Sequence, residues 1–198
     1  YSEIKATYGY KPDNNIGLHF YPAVQSAHIL FPQEKYKIKN VLVPIGPDED
    51  AHIRISRDIA SRQGYNKPAI LHSNFLPGID GGKMSTSKPN SAIFLNDDEK
   101  TIRKKINKAF SGGQDTVEKH KELGGDPDVD VSFIYLEKLF LSKEESEKLR
   151  EQYKKGDLLS GELKKIFADK AVEFVKGFQS NLKSVSDKTV DNCILKNE

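Results

Sequence analysis

The chain has 198 residues, with 31 basic side chains against 29 acidic ones, a formal net charge of +2, and 36% hydrophobic and 30% charged content. That length holds one domain or two small ones with room for a core, and no apolar run approaches the ~20 residues of a membrane span. A near-balanced charge argues against a protein that wraps nucleic acid over its whole surface, and leaves only regional patches to read.

The first stretch, "YSEIKATYGY", lacks the basic start and apolar centre of a secretory leader. It starts at Tyr1 without an initiator methionine, as expected of a piece cut from a longer protein. The single cysteine, Cys193, excludes an internal disulfide and suggests a reducing, cytoplasmic home. Two β-branched runs, Asn40–Gly46 and Lys67–His72, read as buried strands. Between them Ile53, Ile55, Ile59 and Ala60 recur at helical spacing. Strand, helix, strand implies a right-handed crossover and a parallel pair, with ligands at the carboxyl ends of the strands.

The second half switches to helices. Asn96 with Glu99 resembles a capping box ahead of Ile102, Ile106 and Phe110, and Ser142 with Glu145 repeats the signature. A last long helix puts Leu163, Phe167, Ala171, Phe174, Phe178 and Leu182 on one stripe. A boundary near Asn96 follows, giving an α/β portion over 1–96 and a helical portion over 97–198. With one cysteine and no H-x-x-x-H or C-x-x-C spacing among five histidines, a protein metal site is not expected.

Between the halves lies "IDGGKMSTSKP", Ile79 to Pro89. Lysine is a flexible point charge suited to following a moving phosphate, and the glycines and hydroxyls can turn donors toward phosphate oxygens. On local composition alone the same stretch reads as a solvated linker. It is neither a P-loop nor a dinucleotide fingerprint. From Lys83 to Lys108 seven basic residues stand against three acidic ones, either an ordinary solvated helix face or a phosphate-contacting patch.

"KMSTS", Lys83 to Ser87, resembles the mobile signature loop of class I aminoacyl-tRNA synthetases. "YPAVQSA", "PIGPDEDAHIRISRDIA", "KPAILHS", "PNSAIFLNDD", "AFSGGQDTVEKH", "ELGGDPDVDVSFIYL" and "GELKK" resemble, in order and over nearly the whole chain, the archaeal and eukaryotic tryptophanyl type. The resemblance implies the second half of a Rossmann-like catalytic domain followed by an all-α anticodon-binding domain. It implies activation of tryptophan by ATP, carried in with Mg2+, and transfer to tRNA(Trp) by an intact enzyme that is a cytoplasmic homodimer.

Residue by residue, it implies that Lys83 holds ATP phosphates, that the Met84 backbone lies near adenine, and that Ser85 and Ser87 shape the closed loop. Gly46 belongs with the ATP set, and Gln25, Ile45 and Glu49 surround tryptophan. Glu49 stands where relatives place glutamine, and Thr86 where many place a second lysine, for which Lys88 is a candidate substitute. Asp115 and Lys164 occupy positions implicated in tRNA binding. The family's His-x-Gly-His signature is absent from the sequence, so the chain alone is expected to be inactive. A tyrosyl enzyme and a non-catalytic RNA-binding derivative of a synthetase are the alternatives.

Overall fold

A computed structural model describes Gly9, Lys11 and residues 13–194. Of the first stretch, residues 1–8 and Tyr10 lie outside the described residues. Contacts divide the chain into two units, residues 1–75 and 76–198. The division falls ahead of the Asn96 boundary read from the sequence, because Ile79 and Ala92 are buried and Ile79 belongs to the core of the helical unit.

In the first unit, α1 (Ile16–Tyr36) is capped by Asn15, whose side chain accepts from the Gly17 amide at 2.8 Å. β1 (Leu42–Ile45), α2 (Asp50–Gln63) and β2 (Ala69–His72) follow, and the strands pair in parallel from Leu42 opposite Ala69 to Ile45 opposite His72. This is the predicted crossover. Ile29, Leu30, Ile45, Ile53 and Ala60 form the core. The hydroxyls of Ser26 on α1 and Ser56 on α2 meet at 2.9 Å inside it, each also within hydrogen-bond reach of a carbonyl of its own helix, so neither is a buried orphan.

The strands are not buried on both faces as the sequence suggested: Leu42 is 62% and Leu71 56% exposed. Side chains alternate across a strand, so Val43, Ile45 and Ile70 face the packed helices and their neighbours point away. Among the described residues no layer covers that second face.

The second unit is helical: α3 (Glu99–Asn107), α4 (Val117–Leu123), α5 (Val131–Tyr135), a π-helical turn over Leu136–Phe140, α6 (Lys143–Lys155), α7 (Ser160–Lys183) and α8 (Asp187–Cys193). Its core joins Ile79, Ile102, Ile106, Phe133, Tyr153 and Phe167 with smaller apolar neighbours. The Ser142–Glu145 capping box is present in both directions.

Three local expectations are corrected. The cap of α3 is Asp98, which accepts from the Thr101 amide at 2.7 Å; Asn96 lies two residues short, and Glu99 instead receives Arg103 at 2.9 Å and Lys176 at 2.5 Å. Phe110 does not continue the buried stripe, because the helix ends at Asn107 and the ring is 50% exposed. The stripe on α7 is buried only as far as Val175: beyond it Leu182 is 58% exposed, where the 24-residue helix outruns the elements that cover it, while Phe174, equally exposed, lies at the edge of the covered face with its ring 6.1 Å from Phe140.

Candidate functional site

Gly46 follows β1, and a Cβ there would lie 2.7 Å from the Phe75 ring and 2.8 Å from Asp48 Oδ1, so any side chain would have to displace both. A short 3-10 turn, Pro47–Glu49, then feeds α2 and turns Glu49 toward α1. There Gln25 Nε2 donates to Glu49 Oε2 at 2.7 Å. Two residues predicted 24 positions apart to share a ligand thus touch directly. Gln25 Oε1 is buried, and among the described residues no donor reaches it. Ile45, buried, closes the strand end beside them.

His52, one turn into α2, is fully buried with its ring edge-to-face on Tyr21 at 5.3 Å. Burial lowers its pKa from 6.5, against the opposing pull of Glu49 and Asp48. Asp50 receives Arg54 at 2.8 Å and lies 3.1 Å from His72 Nε2, tying the ends of α2 and β2.

The signature loop lies in the second unit. Gly78 donates to Gly82 O at 2.6 Å, Gly81 donates back to Gly78 O at 2.8 Å, and Pro77 bridges Lys83 in antiparallel fashion. Gly81 has a φ of +82°, the left-handed conformation in which glycine is favoured. Downstream, the buried Ser91 hydroxyl takes the Ser85 amide at 3.0 Å and faces the carbonyls of Ser85 and Lys88, while the Ser85 and Ser87 hydroxyls meet at 2.8 Å. Lys83, Met84, Ser87 and Lys88 are exposed on this knot. The loop is therefore a tied turn carrying an exposed lysine rather than a slack linker.

Asp115 and Lys164 lie on the same unit, Asp115 exposed after the Gly112–Gly113 pair and Lys164 donating to Asn107 O at 3.2 Å. The sequence did not single out what holds the loop ahead of Asp115. Asp130, wholly buried, accepts from Ser111 Oγ, the Gly112 amide, Tyr153 OH and the amides of Ser132 and Phe133. Five donors on one carboxylate satisfy it without a cation. Tyr153 OH also meets Ser160 Oγ at 2.8 Å, and burial pushes its pKa up to about 12, so it stays a neutral donor. The Asp-rich turn before a helical run was the available signal, since an aspartate capping α5 is foreseeable while its grip on residues 111–112 is not.

Among the described residues no three His, Cys, Asp or Glu side chains converge as a cation site, and no helix is long and apolar enough to cross a membrane.

A family model described as tRNA synthetases class I (W and Y) matches residues 2–176. The chain belongs to that family. The tryptophan–tRNA ligase of Sulfurisphaera tokodaii is 46% identical over 180 residues, 89% of this chain and 46% of its own length. The cytoplasmic tryptophan–tRNA ligase of Homo sapiens is 41% identical over 199 residues, 96% of this chain and 42% of its own. Among solved structures, the tryptophanyl-tRNA synthetase from Giardia lamblia superposes with a TM-score of 0.82 at 32% identity, over 99% of this chain and 56% of that one. The chain spans about half the length of the relatives it matches. The parallel β1–α2–β2 unit accords with the class I synthetase fold.

Proposed function

We propose that this class I synthetase chain carries the downstream half of a tryptophan–tRNA ligase: residues 1–96 contribute to the catalytic domain and residues 97–198 read the anticodon. In the reaction, the carboxylate of tryptophan attacks the α-phosphate of Mg2+-bound ATP and pyrophosphate leaves; a tRNA(Trp) hydroxyl then attacks the carbonyl of the adenylate, taking the aminoacyl group as AMP leaves. Such chemistry is governed by positioning and by charge placed where charge develops.

The observation that carries the reading is the Gln25–Glu49 contact at the strand end, with Gln25 Oε1 buried and wanting a donor. Tryptophan brings two kinds, an ammonium and an indole N–H, and a buried acceptor gains most from one of them. Glu49 keeps an acceptor where relatives have an amide and adds negative charge beside the substrate's carboxylate. Lys83 holds the phosphates, the Met84 backbone lies near adenine, Ser85 and Ser87 shape the closed loop, and Lys88 supplies the loop's second cation in place of Thr86. Asp115 reads an unstacked base by hydrogen bonds on its edge, and Lys164 supports the same loop. The intact enzyme is a cytoplasmic homodimer.

The test is ATP–pyrophosphate exchange by the 198-residue chain, alone and mixed with a polypeptide supplying the His-x-Gly-His half. No exchange alone and tryptophan-dependent exchange in the mixture are expected. Exchange by the chain alone contradicts the half-enzyme reading, and tyrosine dependence transfers the assignment to the tyrosyl enzymes. Binding of tRNA with no exchange in either arm makes it a non-catalytic RNA binder.

A further inference from the structure

Both legs of the signature loop are tied to α3 or to the segment that leaves it. On the downstream leg, Lys105 of α3 is 9% exposed and reaches across to the Ala92 carbonyl at 2.9 Å and to Asp97 Oδ2 at 2.6 Å. Asp97 also accepts from the Phe94 amide at 2.8 Å, and the Phe94 ring lies under the Lys105 ammonium at 4.5 Å. A lysine so placed has its charge consumed inside the fold, since a buried ammonium persists only when paired and hydrogen-bonded. It belongs with the seven basic residues of the patch by sequence, but it does not face solvent.

On the upstream leg, the Phe110 amide donates to Ile79 O at 2.9 Å, and Tyr135 OH donates to Pro77 O at 2.7 Å. The Phe110 ring stands against Gly81: a Cβ built there would lie 3.0 Å from the ring's Cγ. An exposed phenylalanine pressed on the one glycine of the loop that needs a positive φ is neither core nor idle surface. The chain then runs straight from Phe110 into Ser111 and Gly112, the residues fixed by Asp130.

We infer that α3 and its exit form a clamp that sets the position of the signature loop, with Phe110 the stop at the Gly81 hinge and Lys105 the anchor of the downstream leg. Both are positioning residues; neither touches a reacting atom. The functional part of the inference rests on the ATP role proposed for Lys83, whereas the mechanical part does not. The clamp also attaches the ATP loop and the proposed RNA loop to one backbone segment, so its loosening is felt at both.

The experiment is amide hydrogen exchange on the full chain for Phe110→Ala, Phe110→Leu and Lys105→Met, with pyrophosphate exchange measured on the same variants in the complemented enzyme. Phe110→Ala is expected to speed exchange at Gly81 and Gly82 about tenfold, the loss of one contact of about 1.4 kcal/mol, with α6 unchanged. Phe110→Leu restores most of the protection, and Lys105→Met exposes the Ser85 amide instead. In the complemented enzyme kcat falls about tenfold for Phe110→Ala while the KM for tryptophan holds, the mark of a loop position that counts in the transition state rather than in tryptophan binding. Unchanged exchange at Gly81 and Gly82, or equal acceleration in α6, overturns the clamp. If the wild-type mixture shows no pyrophosphate exchange, the ATP reading fails while the amide arm still decides the clamp.

Discussion

In residues 76–198 helical segments converge on one continuous core, and a buried carboxylate, Asp130, gathers five donors to knit three chain segments. In residues 1–75 a small core of Ile29, Leu30, Ile45, Ile53 and Ala60 supports two four-residue strands whose outer faces are open, with Leu42, Leu71 and Phe75 all more than half exposed. The difference teaches where each of the two proposed binding elements draws its rigidity. The signature loop is tied to a well-filled helical core, whereas the Gln25–Glu49 contact stands on a thin frame, and a two-stranded sheet is marginal without a packed face.

The comparison breaks most visibly through the core of the second unit. Phe167 is fully buried between Tyr135 and Phe140, with ring centroids 5.2 and 6.3 Å away. Phe167→Ala should cost about 3–5 kcal/mol. Hydrogen exchange resolved along the chain should show α3 and α6 accelerating while α2 does not. Equal acceleration in α2 would make the two units one cooperative block.

A smaller effect sharpens the first unit. Burial holds the pKa of His52 below 6.5, so between that folded value and 6.5 the unfolded chain binds the extra proton. The stability of this unit should be fully present above pH 6.5 and decline as pH falls through the window. Urea titrations at stepped pH, followed by exchange in α2, measure the slope. His52→Phe should make it shallower, and an unaltered slope would assign the decline to other groups.

Much of this was legible beforehand because it is local. The β1–α2–β2 order follows from two β-branched runs around a helical period, and the Ser142–Glu145 cap from two residues three apart. The loop at Lys83 was legible as a motif, not as a shape: its knot depends on Ser91, a residue with nothing in its neighbourhood to mark it. Illegible features were long-range or competitive. Asp98 outcompeted Asn96 as a cap because it sits immediately before the first helical turn, a difference of two residues that pattern reading does not resolve. Lys105 looked like one more surface cation because no sequence pattern shows that Asp97 and the Ala92 carbonyl close over it. Phe178 and Leu182 kept the correct period while extending beyond what covers them, and Phe174 kept it at the edge of the covered face, since periodicity reports a face and not its partner.

The most direct test of the account is the rate of tryptophan-dependent pyrophosphate exchange when Lys83→Ala is placed in the complemented enzyme. A charge-assisted contact that strengthens as pyrophosphate departs contributes about 1.5–3 kcal/mol, so kcat should fall roughly ten- to a hundredfold. Exchange at the parental rate would contradict the role given to this ammonium and, with it, the reading of the loop.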